Sequence, residues 1–130
     1  MTLSRISHTI LALTLVTLGS AEIRSEPEID PEYGYTEQHA ILVGGFGAET
    51  GPSNERRYLD RLRGPDGEPV SYHRLGSCCP FDSPNAMGGF SALLDRYEVT
   101  YKGLMNPAVL YLNMYDAGEV FPPRGFIFSE

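Results

Sequence analysis

Two alternating runs, six residues apart, constrain this chain more than any other feature. Leu93 to Tyr101 (LLDRYEVTY) places Tyr97, Val99 and Tyr101 on one side and Arg96, Glu98 and Thr100 on the other. That is the period-two pattern of a half-exposed β-strand. After the turn sequence KGLMNP comes Ala108 to Tyr115 (AVLYLNMY), with Leu110, Leu112 and Met114 on one face and Val109, Tyr111, Asn113 and Tyr115 on the other. The pair predicts an antiparallel hairpin. Apolar side chains on both faces of the second run predict a central strand, covered on one side by a helix.

The remainder of the chain supplies the partners that such a hairpin needs. His39 to Val43 (HAILV) reads as a buried strand ended by GGFG. PSNERRYLDRLRG is the clearest helix: Pro52 suits the first turn, Thr50 or Ser53 caps it, Tyr58, Leu59 and Leu62 form its apolar stripe, and Gly64-Pro65 stop it. Glu55 and Asp60 interrupt Arg56, Arg57, Arg61 and Arg63 at helical spacing, which predicts a solvated charged face. Beyond the PDGEP turn, Val70 to Leu75 is expected as a strand, Phe81 to Phe90 as an irregular loop, and FPPRGFIFSE as a tail docking Phe121, Phe126 and Phe128. The expected fold class is α+β, a single domain over 38–130 with one main helix packed on a mostly antiparallel sheet of about four strands.

The N-terminal segment differs in composition. Residues 1–21 read as a secretory signal peptide, with Arg5 and His8 ahead of the apolar run Ile10 to Leu18 and small residues Gly19, Ser20 and Ala21 at the cleavage point. That run falls well short of the ~20 residues that cross a bilayer, so no membrane span is expected after cleavage. Export puts the protein in the periplasm or outside the cell. Residues 22–37 hold six acidic side chains against one arginine and predict a disordered acidic tail. All 17 acidic residues follow Ala21 and nine basic ones do, for a mature charge of −8. Nucleic acid is therefore not an expected partner, because phosphate backbones call for clustered Lys and Arg.

Chemistry concentrates in RLGSCCPF, Arg74 to Phe81, which contains both cysteines. In an oxidising compartment two thiols usually pair. Adjacent Cα atoms sit ~3.8 Å apart, below the ~4.4 Å where common disulfides begin. Three readings follow for Cys78 and Cys79: a vicinal disulfide of structural or redox character, free thiols packed as small apolar residues, or pairing to another chain or a metal. His73, Cys78, Cys79 and Asp82 hold zinc-type ligands without a familiar spacing. Cys78 or Ser77 with His73 or His39 and one of Asp82, Asp95 or Asp116 contains the residue types of a nucleophile and base. Asp95 and Glu98 are expected on an exposed hairpin face beside Arg96 and Lys102. Tyr97, Tyr101, Tyr111 and Tyr115 offer either core or a contact surface. GGFGAETG has neither the dinucleotide nor the P-loop spacing, and no cofactor is expected.

The residues GPSNERRYLDRLRGPDGEPVSYHRLGSCCPF, then LLDRYEVTY and LYLNMYD, resemble a family of short exported bacterial proteins whose most specific part is the Gly-Ser-Cys-Cys run. The resemblance covers most of the chain from about Gly51 to Gly125. Members often carry the name 2-dehydro-3-deoxyphosphooctonate aldolase. Enzymes of that reaction are TIM barrels of ~250 residues, whereas this exported chain offers one clear helix and about four strands. The resemblance thus implies export and implies no aldolase activity or catalytic residue. The function expected is a non-enzymatic envelope or protein-binding module whose partner is an unknown protein or envelope component. The alternative is a thiol-dependent redox or metal-binding protein centred on Cys78 and Cys79.

Overall fold

The computed structural model describes residues 12–16, 19, 28–45, 51–86, 88 and 91–130. Most of the expected signal peptide and the acidic stretch 22–27 lie outside the described residues, as do 46–50 of the glycine-rich loop. The elements are β1 (Ile41–Leu42), α1 (Pro52–Arg61), β2 (Leu62–Arg63), β3 (Val70–Asp82), β4 (Ser91–Tyr101), β5 (Ala108–Asn113) and β6 (Ile127–Phe128). A four-stranded sheet runs in the order β1-β5-β4-β3, and β2 pairs with β6 in a small second sheet. The α+β class and the mostly antiparallel sheet match expectation; the second sheet is an addition. Among the described residues no helix is long and apolar enough to cross a membrane.

The hairpin forms where alternation places it, with Tyr97 opposite Leu110 and Val99 opposite Ala108. β5 lies inside the sheet, and its other neighbour, β1, is parallel to it, with Ile41 opposite Leu112. Helix α1 covers one face. Tyr58, Leu59 and Leu62 pack there with Ile41, Val43, Tyr97, Val99, Leu110, Leu112 and Phe126 as one buried cluster. Emptying such a site, as in Leu112→Ala, typically costs ~2–5 kcal/mol. Two hydroxyls fasten the helix further: Tyr58 donates to the Phe121 carbonyl at 2.5 Å and Tyr72 to Asp60 at 2.6 Å. Burial raises the pKa of Tyr58, and burial with the Asp60 hydrogen bond pushes Tyr72 up to about 12.

Both helix ends differ from the sequence reading. Ser53 does not cap the start, and Thr50 lies outside the described residues. Gly51 occupies the cap with φ 72°, a left-handed conformation suited to glycine, and Pro52 follows. At the other end Leu62 turns extended two residues before Gly64, because Leu62 and Arg63 pair with Phe128 and Ile127. The tail prolines precede this pairing and leave it intact. Phe126 enters the core, and Phe128 stacks edge-on with Tyr58 beneath the Arg61 guanidinium.

The acidic segment is ordered from Asp30 onward, contrary to the expected tail. Tyr33 and Tyr35 pack against the core cluster, and the Gly34 carbonyl accepts the Tyr111 N–H of β5 at 2.8 Å. Gly34 has φ 83°, and a Cβ there would come within 2.9 Å of Ile41 Cδ1. A short 3₁₀ turn, Glu37–His39, then leads into β1.

β3 is the largest departure. The expected strand of six residues extends to 13 and carries both cysteines within it. Its pairing with β4 slips twice, between Arg74 and Gly76 and between Cys78 and Pro80, so Leu75 and Cys79 are extra residues of two β-bulges. Gly76 takes φ 134° and Cys79 takes φ 58°. Gly76→Ala meets no neighbouring atom but must adopt a backbone conformation L-residues avoid. Urea denaturation of that variant is expected to show a loss of about 1–3 kcal/mol, whereas an unchanged midpoint would mean the strand passes Leu75 without the bulge.

Candidate functional site

Side-chain parity explains how β3 builds a polar centre. In a regular strand Arg74 and Ser77, three residues apart, project to opposite faces. The Leu75 bulge inserts one residue and brings both to the face of Asp95, which lies directly opposite Ser77. Arg74 Nη2 donates to Asp95 Oδ1 at 2.9 Å and to Ser77 Oγ at 2.6 Å. Ser77 Oγ in turn donates to the same Asp95 oxygen at 2.9 Å.

Asp95 is only 2 % exposed, so the expectation of an exposed Asp95–Glu98 face is corrected. Asp95 shares the parity of Tyr97 and Val99 and lies under the helix, while Glu98 faces the other way, opposite His73. Burial alone raises the Asp95 pKa, but the hydrogen bonds from Arg74 and Ser77 and the Arg74 charge outweigh it and hold the carboxyl below its usual range.

Glu55 completes this centre from α1. It is 0 % exposed rather than part of the solvated helix face, because positions 55, 58, 59 and 62 form one helical stripe. Neither carboxyl oxygen has a hydrogen bond of regular geometry. Burial pushes its pKa up to about 8; the Tyr97 hydroxyl and the Arg74 charge favour the carboxylate, and Asp95 favours the acid. Burial thus favours the neutral acid at Glu55, while the hydrogen bonds at Asp95 favour its carboxylate.

The second bulge carries the disulfide. Cys78 and Cys79 are bonded to each other, which realises the vicinal reading and leaves no free thiolate in this state. A cleft of about 420 Å³ opens beside it, lined by Cys79, Pro80 and Phe81 of β3, Leu94 of β4, Asn113 of β5, Leu42 of β1, and Glu37, Gln38 and Ala40. All four strands contribute to it. Its Phe81 ring packs edge-on against Tyr115 at 6.1 Å. Its Asn113 edge is fixed by a polar knot: Asn113 Oδ1 accepts the Tyr115 and Asp116 N–H groups. Asp116 accepts from Ser83 at 2.6 Å, Asn85 at 2.9 Å and Asn113 at 3.0 Å. The Ser83 hydrogen bond foremost holds Asp116 below the usual carboxylate range.

The remaining sequence candidates scatter. His73 lies 3.9 Å from Glu98, and His39 Nδ1 lies 2.6 Å from Asp30 and 3.6 Å from Glu32. Ser77 is engaged by Arg74 and Asp95, with Asp116 holding Ser83 instead. No nucleophile–histidine pair follows from these contacts. His73, Cys78, Cys79 and Asp82 do not converge as a ligand set; the group of metal-type side chains found together among the described residues is Asp30, Glu32 and His39, mostly exposed. Nor do the tyrosines form one patch. Tyr97 is buried, Tyr101 packs on Phe126, Tyr111 lies opposite Arg96, and Tyr115 meets Phe81.

No family model, curated protein or solved structure matches this chain.

The raised Glu55 pKa sets the sign of a stability change. Its folded value lies above the ordinary 4.5, so its contribution is fully present below about 4.5 and is lost as pH rises through about 8. Glu55→Gln imitates the neutral acid. It is expected to leave stability near pH ~5 little changed and to exceed the wild type by on the order of a few kcal/mol above pH ~9. Parallel pH curves for the two proteins in chemical denaturation would refute the buried acid.

Proposed function

We propose that this protein is an exported, non-enzymatic module that binds an envelope component or another protein in the cleft walled by the Cys78–Cys79 disulfide. The observation carrying this reading is the cleft itself, about 420 Å³, within the range of small-ligand and side-chain pockets. Its lining combines apolar Leu42, Pro80, Phe81 and Leu94 with polar Glu37, Gln38 and Asn113. A disulfide adds a polarizable surface with no hydrogen-bond donor. That combination favours an apolar anchor group with polar flanks.

A thiol-dependent redox role is the second reading, favoured by one observation: Cys79 of the closed disulfide borders the same cleft. The two readings separate on the double variant Cys78→Ser, Cys79→Ser. A ring between adjacent residues closes no chain loop, so its removal costs little loop-closure entropy and the fold is expected to persist. Partner capture that survives in the double variant supports the binding module, while selective loss of thiol–disulfide exchange with intact folding supports the redox reading.

A photo-crosslinker at exposed Gln38, used in the native compartment, is expected to recover one specific partner. Ala40→Phe, which fills the cleft, is expected to reduce that capture about tenfold or more, the effect of ~1.4 kcal/mol. Equal capture by the filled variant would remove the cleft from the interface.

A further inference from the structure

Helix α1 divides into two stripes, and the outward one concentrates positive charge on an acidic chain. Asn54, Glu55, Tyr58 and Leu59 turn inward, whereas Ser53, Arg56, Arg57, Asp60 and Arg61 line a surface depression of about 430 Å³. We propose that this depression is a second binding site, independent of the cleft beside the disulfide, which takes the phosphate group of a small molecule on the guanidinium groups of Arg56, Arg57 and Arg61.

Four of the chain's 10 basic residues, Arg56, Arg57, Arg61 and Arg63, fall between positions 56 and 63, although the net charge of the whole is −7. Sequence alone has Glu55 and Asp60 offset them. Glu55 is instead 0 % exposed and belongs to the inward stripe, which leaves Asp60 as the one acid lining the depression. Its carboxylate is already engaged, accepting the Tyr72 hydroxyl at 2.6 Å. Arg56 and Arg57 are exposed, and among the described residues neither forms an ion pair. Arg61 is held with its guanidinium 4.3 Å from the centroid of the Phe128 ring, which limits the freedom it would lose on gripping a ligand. Arg56 Nη2 donates to Ser53 Oγ at 3.4 Å, and as an acceptor there the hydroxyl keeps its own hydrogen for an anion. Several guanidinium forks on one ligand call for an anion with more than two acceptor oxygens and more than one charge. A phosphate group offers both; a carboxylate does not. The acidic remainder of the molecule favours a compact ligand. Screening confines such a ligand to charges within ~8 Å in ~0.15 M salt, so it meets the arginines, whereas an extended anionic membrane would also face the rest of a negatively charged chain.

Calorimetric titration of the full chain with pyrophosphate in ~0.15 M chloride tests the site. Saturable binding is expected, weakened about tenfold by Arg57→Gln, an exposed position outside the core. Asp60→Asn removes the one negative charge of the depression while keeping an acceptor for Tyr72, and is expected to tighten binding severalfold. Lys102→Gln removes an exposed positive charge from the turn between β4 and β5 and is expected to change nothing. Absence of saturable binding overturns the proposal, as does equal weakening by Lys102→Gln, which would reduce the effect to overall charge. Phosphatidylglycerol vesicles that bind the protein through Arg57 while pyrophosphate does not would assign the face to a lipid surface and likewise overturn it.

Discussion

A single buried carboxylate, Asp95, holds the sheet, the helix and the bulged strand in one arrangement. It accepts hydrogen bonds from Arg74 and Ser77 on β3 and faces Glu55 on α1. A charge in that position is tolerable because it is paired and hydrogen-bonded; left alone it would oppose folding. Its partners reach it only because one extra residue, Leu75, resets the parity of β3. The bulge is thus part of the polar centre, and the centre in turn specifies where the bulge must fall.

The same strand edge then serves a different purpose on the opposite face. A second bulge four residues on carries the disulfide, and Cys79, Pro80 and Phe81 form one wall of the cleft. Glu37, Gln38 and Ala40 also line it, from the segment where the acidic N-terminal stretch ends. Its order follows from Tyr33 and Tyr35 packing on the core and from the Gly34 carbonyl meeting β5. Core packing on the helix side and the cleft on the other are therefore linked through the four strands they share. The polar knot at Asp116 fixes the far end of that link.

Much of this was legible in the residues. Alternation in LLDRYEVTY and AVLYLNMY identified the hairpin, and the Tyr58, Leu59 and Leu62 stripe identified the helix face, because period and burial are local properties. The same periods also carried signals that charge obscured: Asp95 has the parity of Tyr97, and Glu55 lies on the stripe of Tyr58 and Leu59. A charged residue on an apolar face is ordinarily read as solvated, and here partners from another strand make burial tolerable. The bulges were not legible. They depend on how β3 registers against β4, a non-local choice, as does the pairing of Leu62 and Arg63 with the chain terminus. The cysteine pair was recognisable as the place to look, whereas its position inside a strand rather than at the start of a loop was not.

The claim that organises all of this is a neutral Glu55 beside an ionised Asp95 beneath β3. Carbon-13 titration of the Glu55 side-chain carboxyl in the folded protein tests it most directly. A midpoint near 8, with Asp95 still ionised well into the acid range, is the expected result. A Glu55 midpoint at the ordinary value of 4.5 would mean that the carboxyl is solvated, and would contradict the account.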